Sequence, residues 1–162
     1  MNTMRTSRLI PATVAALAAL ALTASPALAD GGSGHSILKD KLVGSMPAPA
    51  SPTIDGIAPG GAPWVNGPSK VRVREDGRIT VKIKGLIIPT TGVNPVASVV
   101  ATLVCDGEAG DSTDPFALSA AGDGSTSDVI SGTRHCEDPM VLIQPTGRAI
   151  YIASTVDDDH DD

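Results

Sequence analysis

Lys70-Val71-Arg72-Val73-Arg74-Glu75-Asp76-Gly77-Arg78-Ile79-Thr80-Val81-Lys82-Ile83-Lys84 reads as a β-hairpin. Apolar and polar residues alternate on both sides of Glu75-Asp76-Gly77, the two-residue period of strands with one buried face. The turn fixes the register. A two-residue Asp76-Gly77 loop would set Val73 against Thr80 and mix the faces. A three-residue Glu75-Asp76-Gly77 loop sets Val73 against Ile79 and Val71 against Val81, so that the apolar residues share one face. That register asks Gly77 to take the left-handed conformation of a bulged turn. It also lines the opposite face with cations: Lys70 against Lys82, Arg72 against Thr80 and Arg74 against Arg78, with Lys84 extending the row.

Working outward, further strands are expected. Ala97–Cys105 would put Ala97, Val99, Ala101, Leu103 and Cys105 on one face. Pro115–Ala120, Asp128–Ser131, Met140–Gln144 and Arg148–Val156 are shorter candidates, separated by clusters of Gly, Pro, Asp, Ser and Thr. After residue 29 no segment of ten or more residues carries a helical period. Short strands at this spacing point to a β-sandwich or a small barrel, and the expected fold is all-β: a single small antiparallel β-sandwich, immunoglobulin-like or similar, over residues 53–156. Residues 30–52 read as a flexible Pro/Gly-rich segment. Residues 45–63 hold Pro47, Pro49, Pro52, Pro59 and Pro63, which suggest extended, linker-like chain, and Ile54, Ile57 and Trp64 would tie its far end to the domain.

The N-terminus has the three parts of a cleavable secretory signal: Arg5 and Arg8, an apolar stretch from Ala12 to Ala24, then Pro26 and the small-residue site Ala27-Leu28-Ala29. Residues 1–29 are assigned to it. The apolar stretch is shorter than the roughly 18–20 residues that span a bilayer, so stable membrane insertion is not expected. The chain is therefore read as secreted, extracellular or cell-wall associated. In that setting Cys105 and Cys136, the two cysteines, are expected to form a disulfide. They would close a loop of about 31 residues, which the chain-entropy model values at about 3–4 kcal/mol. No Cys-x-x-Cys is present, and two cysteines are too few for a structural zinc site.

Without residues 1–29 the chain has 10 cations against 18 acids, a net charge of −8. Five of those acids lie in the tail Asp157-Asp158-Asp159-His160-Asp161-Asp162, expected to be disordered and solvated. Trp64, Phe116 and Tyr151 are the only aromatic residues apart from histidine. So few rings argue against single-stranded nucleic-acid binding and against a sugar-stacking face.

The hairpin's outer face, Lys70, Arg72, Arg74, Arg78, Lys82 and Lys84, is the candidate binding strip. Like charges directly opposite each other oppose sheet formation. The strip would suit an anionic wall polymer, a lipid surface or an acidic protein; the alternative is a face kept charged for solubility and against edge pairing. The stretch Asp106–Asp114 is acidic and Gly-rich but lacks calcium-loop spacing, since Ala117 stands where the bidentate Glu would be. It is read as a turn loop. No metal site and no cofactor is assigned. His135, followed by Glu137 and Asp138, is the only centre for a hydrolase reading, and no Gly-x-Ser-x-Gly elbow accompanies it.

Gly60-Gly61-Ala62-Pro63-Trp64-Val65, Val71–Arg78, Gly85-Leu86-Ile87-Ile88-Pro89, Asn94–Val99, Leu103-Val104-Cys105 and Pro115-Phe116 together resemble a group of small secreted bacterial proteins of no established function. The resemblance covers roughly residues 54–153 and leaves out the Asp-rich tail. It implies export and a disulfide-linked β domain, and brings no catalytic or binding residues. The leading expectation is a non-enzymatic exported β-domain protein whose basic hairpin face meets an anionic polymer or partner. A small secreted hydrolase using His135 and a purely structural extracellular module are the alternatives.

Overall fold

The computed structural model describes residues 34–155. The expected signal, residues 1–29, and the acidic tail, residues 157–162, lie outside the described residues.

The hairpin forms in the expected register. Strand β3 (Ser69–Arg74) pairs with β4 (Arg78–Ile83), with Val73 opposite Ile79, Val71 opposite Val81, Arg72 opposite Thr80 and Lys70 opposite Lys82. Gly77 has φ 89°. It has a second reason to be glycine: a Cβ there would lie 2.3 Å from the Ile130 carbonyl oxygen. The other strands are β1 (Ser36–Gly44), β2 (Ala58–Pro59), β5 (Ser98–Cys105), β6 (Glu108–Ser112), β7 (Phe116–Ala117), β8 (Gly124–Val129), β9 (Pro139–Pro145), β10 (Ile150–Tyr151) and β11 (Ala153–Thr155). Antiparallel pairing runs β6-β5-β9-β11-β1-β3-β4-β8, and β7 also pairs with β5. A small parallel pair, β10 with β2, stands apart.

The fold is all-β, as expected, but the strands of the main sheet follow one hydrogen-bonded path that curls on itself. Its ends meet where β7 approaches β8: a Cβ on Gly124 would lie 2.6 Å from the Ala117 carbonyl oxygen and 3.1 Å from Leu118 Cδ1. The curl wraps the inner faces of β3, β4, β5 and β9 around a core of Val71, Val73, Ile79, Val81, Ile83, Val99, Leu103, Val141 and Ile143. Burying each such side chain stabilises the fold by about 1.5–3 kcal/mol. Cys105, the last residue of β5, is bonded to Cys136 in the β8–β9 connection, with Cα atoms 5.2 Å apart.

For residues 34–52 the structure corrects the reading of the 30–52 segment as flexible, and with it the domain start near residue 53. Ser36–Gly44 is β1, an interior strand between β11 and β3. A register shift between Ser36 and Leu38 breaks its alternation, which is why the segment does not read as a strand. The Pro-rich segment is packed rather than linker-like. It crosses the outside of β5 and β9, where Ile54 and Ile57 join Val104, Leu142 and Tyr151 in a second apolar cluster. Tyr151 Oη donates to the Pro52 carbonyl at 2.7 Å, and Trp64 N donates to the Ser45 carbonyl at 2.9 Å.

Smaller differences follow from local geometry. Asp106 and Gly107, both with positive φ, make a two-residue hairpin turn, so most of the expected loop 106–114 is strand β6. The expected strand Arg148–Val156 divides into β10 and β11 around Ile152. Pro115–Ala120 shortens to β7, and the strand expected at Asp128–Ser131 lies instead at Gly124–Val129.

Candidate functional site

Strand alternation turns Lys70 and Arg72 of β3, and Thr80 and Lys82 of β4, away from the core, where all four are exposed. Strand β1 then adds two cations. Lys41 lies opposite Lys70, and Lys39 opposite Arg72. Two rows therefore cross three neighbouring strands: Lys41-Lys70-Lys82 and Lys39-Arg72-Thr80. Strand geometry spaces such a grid at about 4.8 Å across and about 6.8 Å along. On the far side β8 sets Ser125 beside Lys82 and Ser127 beside Thr80, so hydroxyls border the cations.

The surface is not flat. A hollow of about 720 Å³ is lined by Lys39, Lys41, Lys70, Arg72, Arg74 and Lys82, with Asp40, Val71 and Thr80. A second, of about 510 Å³, shares Lys41, Lys70 and Lys82 and runs on to Val43, Asn66 and Pro68. Asn66 is held rigidly there: its Nδ2 donates to the Leu42 carbonyl and its Oδ1 accepts from Gly44 N, at 2.8 and 2.7 Å.

Little within the described residues neutralises this grid. The one ion pair between two described residues is Lys84–Asp123, at 3.4 Å. Asp123 also accepts from Gly85 N at 2.9 Å. That backbone bond, and then the Lys84 charge, hold its carboxyl below the usual range. Lys84 is thereby drawn toward the 119–123 turn and partly compensated. Arg72 Nε donates to Ser36 Oγ at 2.5 Å. Lys39, Lys41, Lys70 and Lys82 have no carboxylate partner among the described residues. Two cations about 5 Å apart in water repel by about 0.8 kcal/mol, so the grid is a standing cost that a bound polyanion would relieve.

Of the six residues singled out in the sequence, Lys70, Arg72 and Lys82 lie within the grid, while Arg74 and Arg78 flank the turn of the same hairpin. Lys84 is diverted to Asp123. Lys39 and Lys41 are not among those six because they lie in the segment whose composition reads as flexible chain. The signal available was Leu38-Lys39-Asp40-Lys41-Leu42, in which the two lysines share a face.

The other candidates have different surroundings. His135 is exposed with φ 70°, and its ring bonds no hydroxyl or carboxylate among the described residues. Asp111 accepts from Ser131 N and Oγ, both at 2.9 Å. These bonds, with one from Ser112 N, hold its carboxyl below the usual range. Asp106 Oδ1 accepts from Asp138 N. No three metal-ligating side chains converge among the described residues. No helix among them is long and apolar enough to cross a membrane. In comparisons with family models, with curated proteins and with solved structures, the chain matches none.

Proposed function

We propose that this is an exported, non-enzymatic β-domain protein that binds an anionic cell-surface polymer through the outer face of β1, β3 and β4. The observation that carries the reading is the grid itself: Lys39, Lys41, Lys70, Arg72 and Lys82 on three adjacent strands, with no carboxylate paired to them among the described residues. A repeating polyanion matches a two-dimensional array of cations better than a single small anion does, because successive charges engage successive rows. The disulfide fits an oxidising compartment outside the cytoplasm. The tail, with five carboxylates, is a built-in competitor for the same face.

Sedimentation of the protein without residues 1–29 with dextran sulfate, and with purified anionic wall material, tests this. Binding is expected at low salt and should weaken as the Debye length shrinks from about 10 Å at 0.1 M to about 3 Å at 1 M. Replacing Lys41, Lys70 and Lys82 together by Gln should weaken it by about tenfold to a hundredfold, the loss of three exposed attractions of about 0.5–1 kcal/mol each. Arg134→Gln should leave it unchanged. Removal of residues 157–162 should strengthen it. Binding that survives the triple substitution overturns the proposal.

A further inference from the structure

We propose a second binding site, separate from the cationic face: a cleft between Trp64 and Arg148 that takes a small aliphatic carboxylate. The cleft holds about 450 Å³, within the range of small-molecule sites. It lies where the Gly60–Trp64 segment faces Pro95–Ser98 and the turn after β9. Ala62, Pro95, Ala97, Pro145, Ile150 and Ile152 line it. These walls are aliphatic and short, and they suit an alkyl chain.

The polar side chains at the cleft, Trp64, Ser98, Thr146 and Arg148, can all donate. Trp64 is 95% buried, yet its indole Nε1 bonds nothing among the described residues. No fully enclosed side-chain nitrogen or oxygen among those residues lacks a partner, so this N–H must reach the surface. Gly60, also in the lining, keeps it uncovered: a Cβ there would lie 3.1 Å from Nε1. An indole N–H can only donate. Arg148 is exposed in the turn closed by its own N–H to the Pro145 carbonyl at 3.1 Å. Its guanidinium, which also only donates, has no carboxylate partner among the described residues. Ser98 Oγ and Thr146 Oγ1 share one hydrogen bond at 2.9 Å, leaving one hydroxyl proton to give. A guest must therefore accept hydrogen bonds, carry negative charge for Arg148 and fill aliphatic walls. A carboxylate on a short alkyl chain meets all three demands. Inorganic phosphate or sulfate would leave the walls wet, and an alkyl ammonium would set a second cation beside Arg148.

Trp64 is the only tryptophan of the chain, so its fluorescence reports this cleft alone. The full protein would be titrated with octanoate, 1-octanol and octylammonium. A saturable change in emission is expected with octanoate and not with octylammonium. Arg148→Gln, at an exposed position, should weaken octanoate binding about tenfold or more, the loss of a charge-assisted contact. Gly60→Ala, whose backbone φ is not left-handed, should weaken it by placing a methyl against the indole nitrogen. The Lys41, Lys70 and Lys82 triple variant should keep the response, which separates this site from the cationic face. No saturable response to octanoate overturns the proposal, as does a response that 1-octanol reproduces and Arg148→Gln leaves intact.

Discussion

Strand pairs β3–β4 and β5–β9 belong to one sheet and point their inner residues at one core, yet their outer faces differ. Along β3 and β4 burial alternates residue by residue, and the outward side chains are charged or hydroxylated. Along β5 and β9 the outward residues Thr102, Val104, Leu142 and Gln144 are buried as well. What differs is what crosses them. The outside of β5–β9 is roofed at Val104 and Leu142 by Ile54, Ile57 and Tyr151, and on the same face Thr102 Oγ1 donates to Gln144 Oε1. Nothing among the described residues roofs β3–β4. The fold thus covers one half of the sheet and presents the other, and the presented half is the one with the cations.

The largest expected effect breaks the covered half. Leu142→Ala, at a fully buried outward position, should cost about 3 kcal/mol, as large-to-small changes in packed sites do. Urea unfolding would measure it. The same truncation in the open half, Lys82→Ala, should stay within about 0.5 kcal/mol. Equal costs would show that the two faces do not differ in packing.

A smaller effect tests the roof itself. Tyr151→Phe removes the bond to the Pro52 carbonyl and should cost about 1 kcal/mol. The backbone bonds between Ile54 and Ile57 should then exchange their amide hydrogens faster. Burial raises the Tyr151 phenol above its usual 10.0. Its contribution is therefore complete below pH 10 and is lost as pH climbs above 10 through the folded-state value. The wild-type roof should loosen in that window, whereas Tyr151→Phe should show no such step.

The same contrast explains what could be read in the sequence. The β3–β4 register was legible because two constraints agree: the two-residue period and the glycine that the three-residue turn requires. The disulfide followed from cysteine count and compartment. β5 showed its inner face, but the run Val99-Val100-Ala101-Thr102-Leu103-Val104 also marks a strand buried on both sides. What covers it came from proline-rich chain that composition assigns to linkers. β1 was hidden by its register shift and by Lys39-Asp40-Lys41, and with it went two of the grid's five cations. β6 was hidden because it is an exposed polar edge strand, although Asp106-Gly107 is a hairpin signal. The Trp64 cleft joins residues near 60, 97 and 148, a proximity that no local pattern encodes.

The smallest expected effect sharpens the comparison most, because it separates holding the sheet together from using its surface. Lys70 and Lys82 stand directly opposite each other. Replacing both by Thr removes a like-charge cross-strand pair and puts a good strand former at each position. Stability in urea should rise by about 0.5 kcal/mol at low salt, within the range of such pairs. The gain from relieved repulsion should shrink at high salt, where wild-type repulsion is already screened. Binding to dextran sulfate should fall in the same protein. Opposite signs in one variant would mean that these lysines are present for what they bind and oppose the fold that displays them. A loss of stability would mean instead that their alkyl stems pack on the sheet, and the cations would then belong to the scaffold.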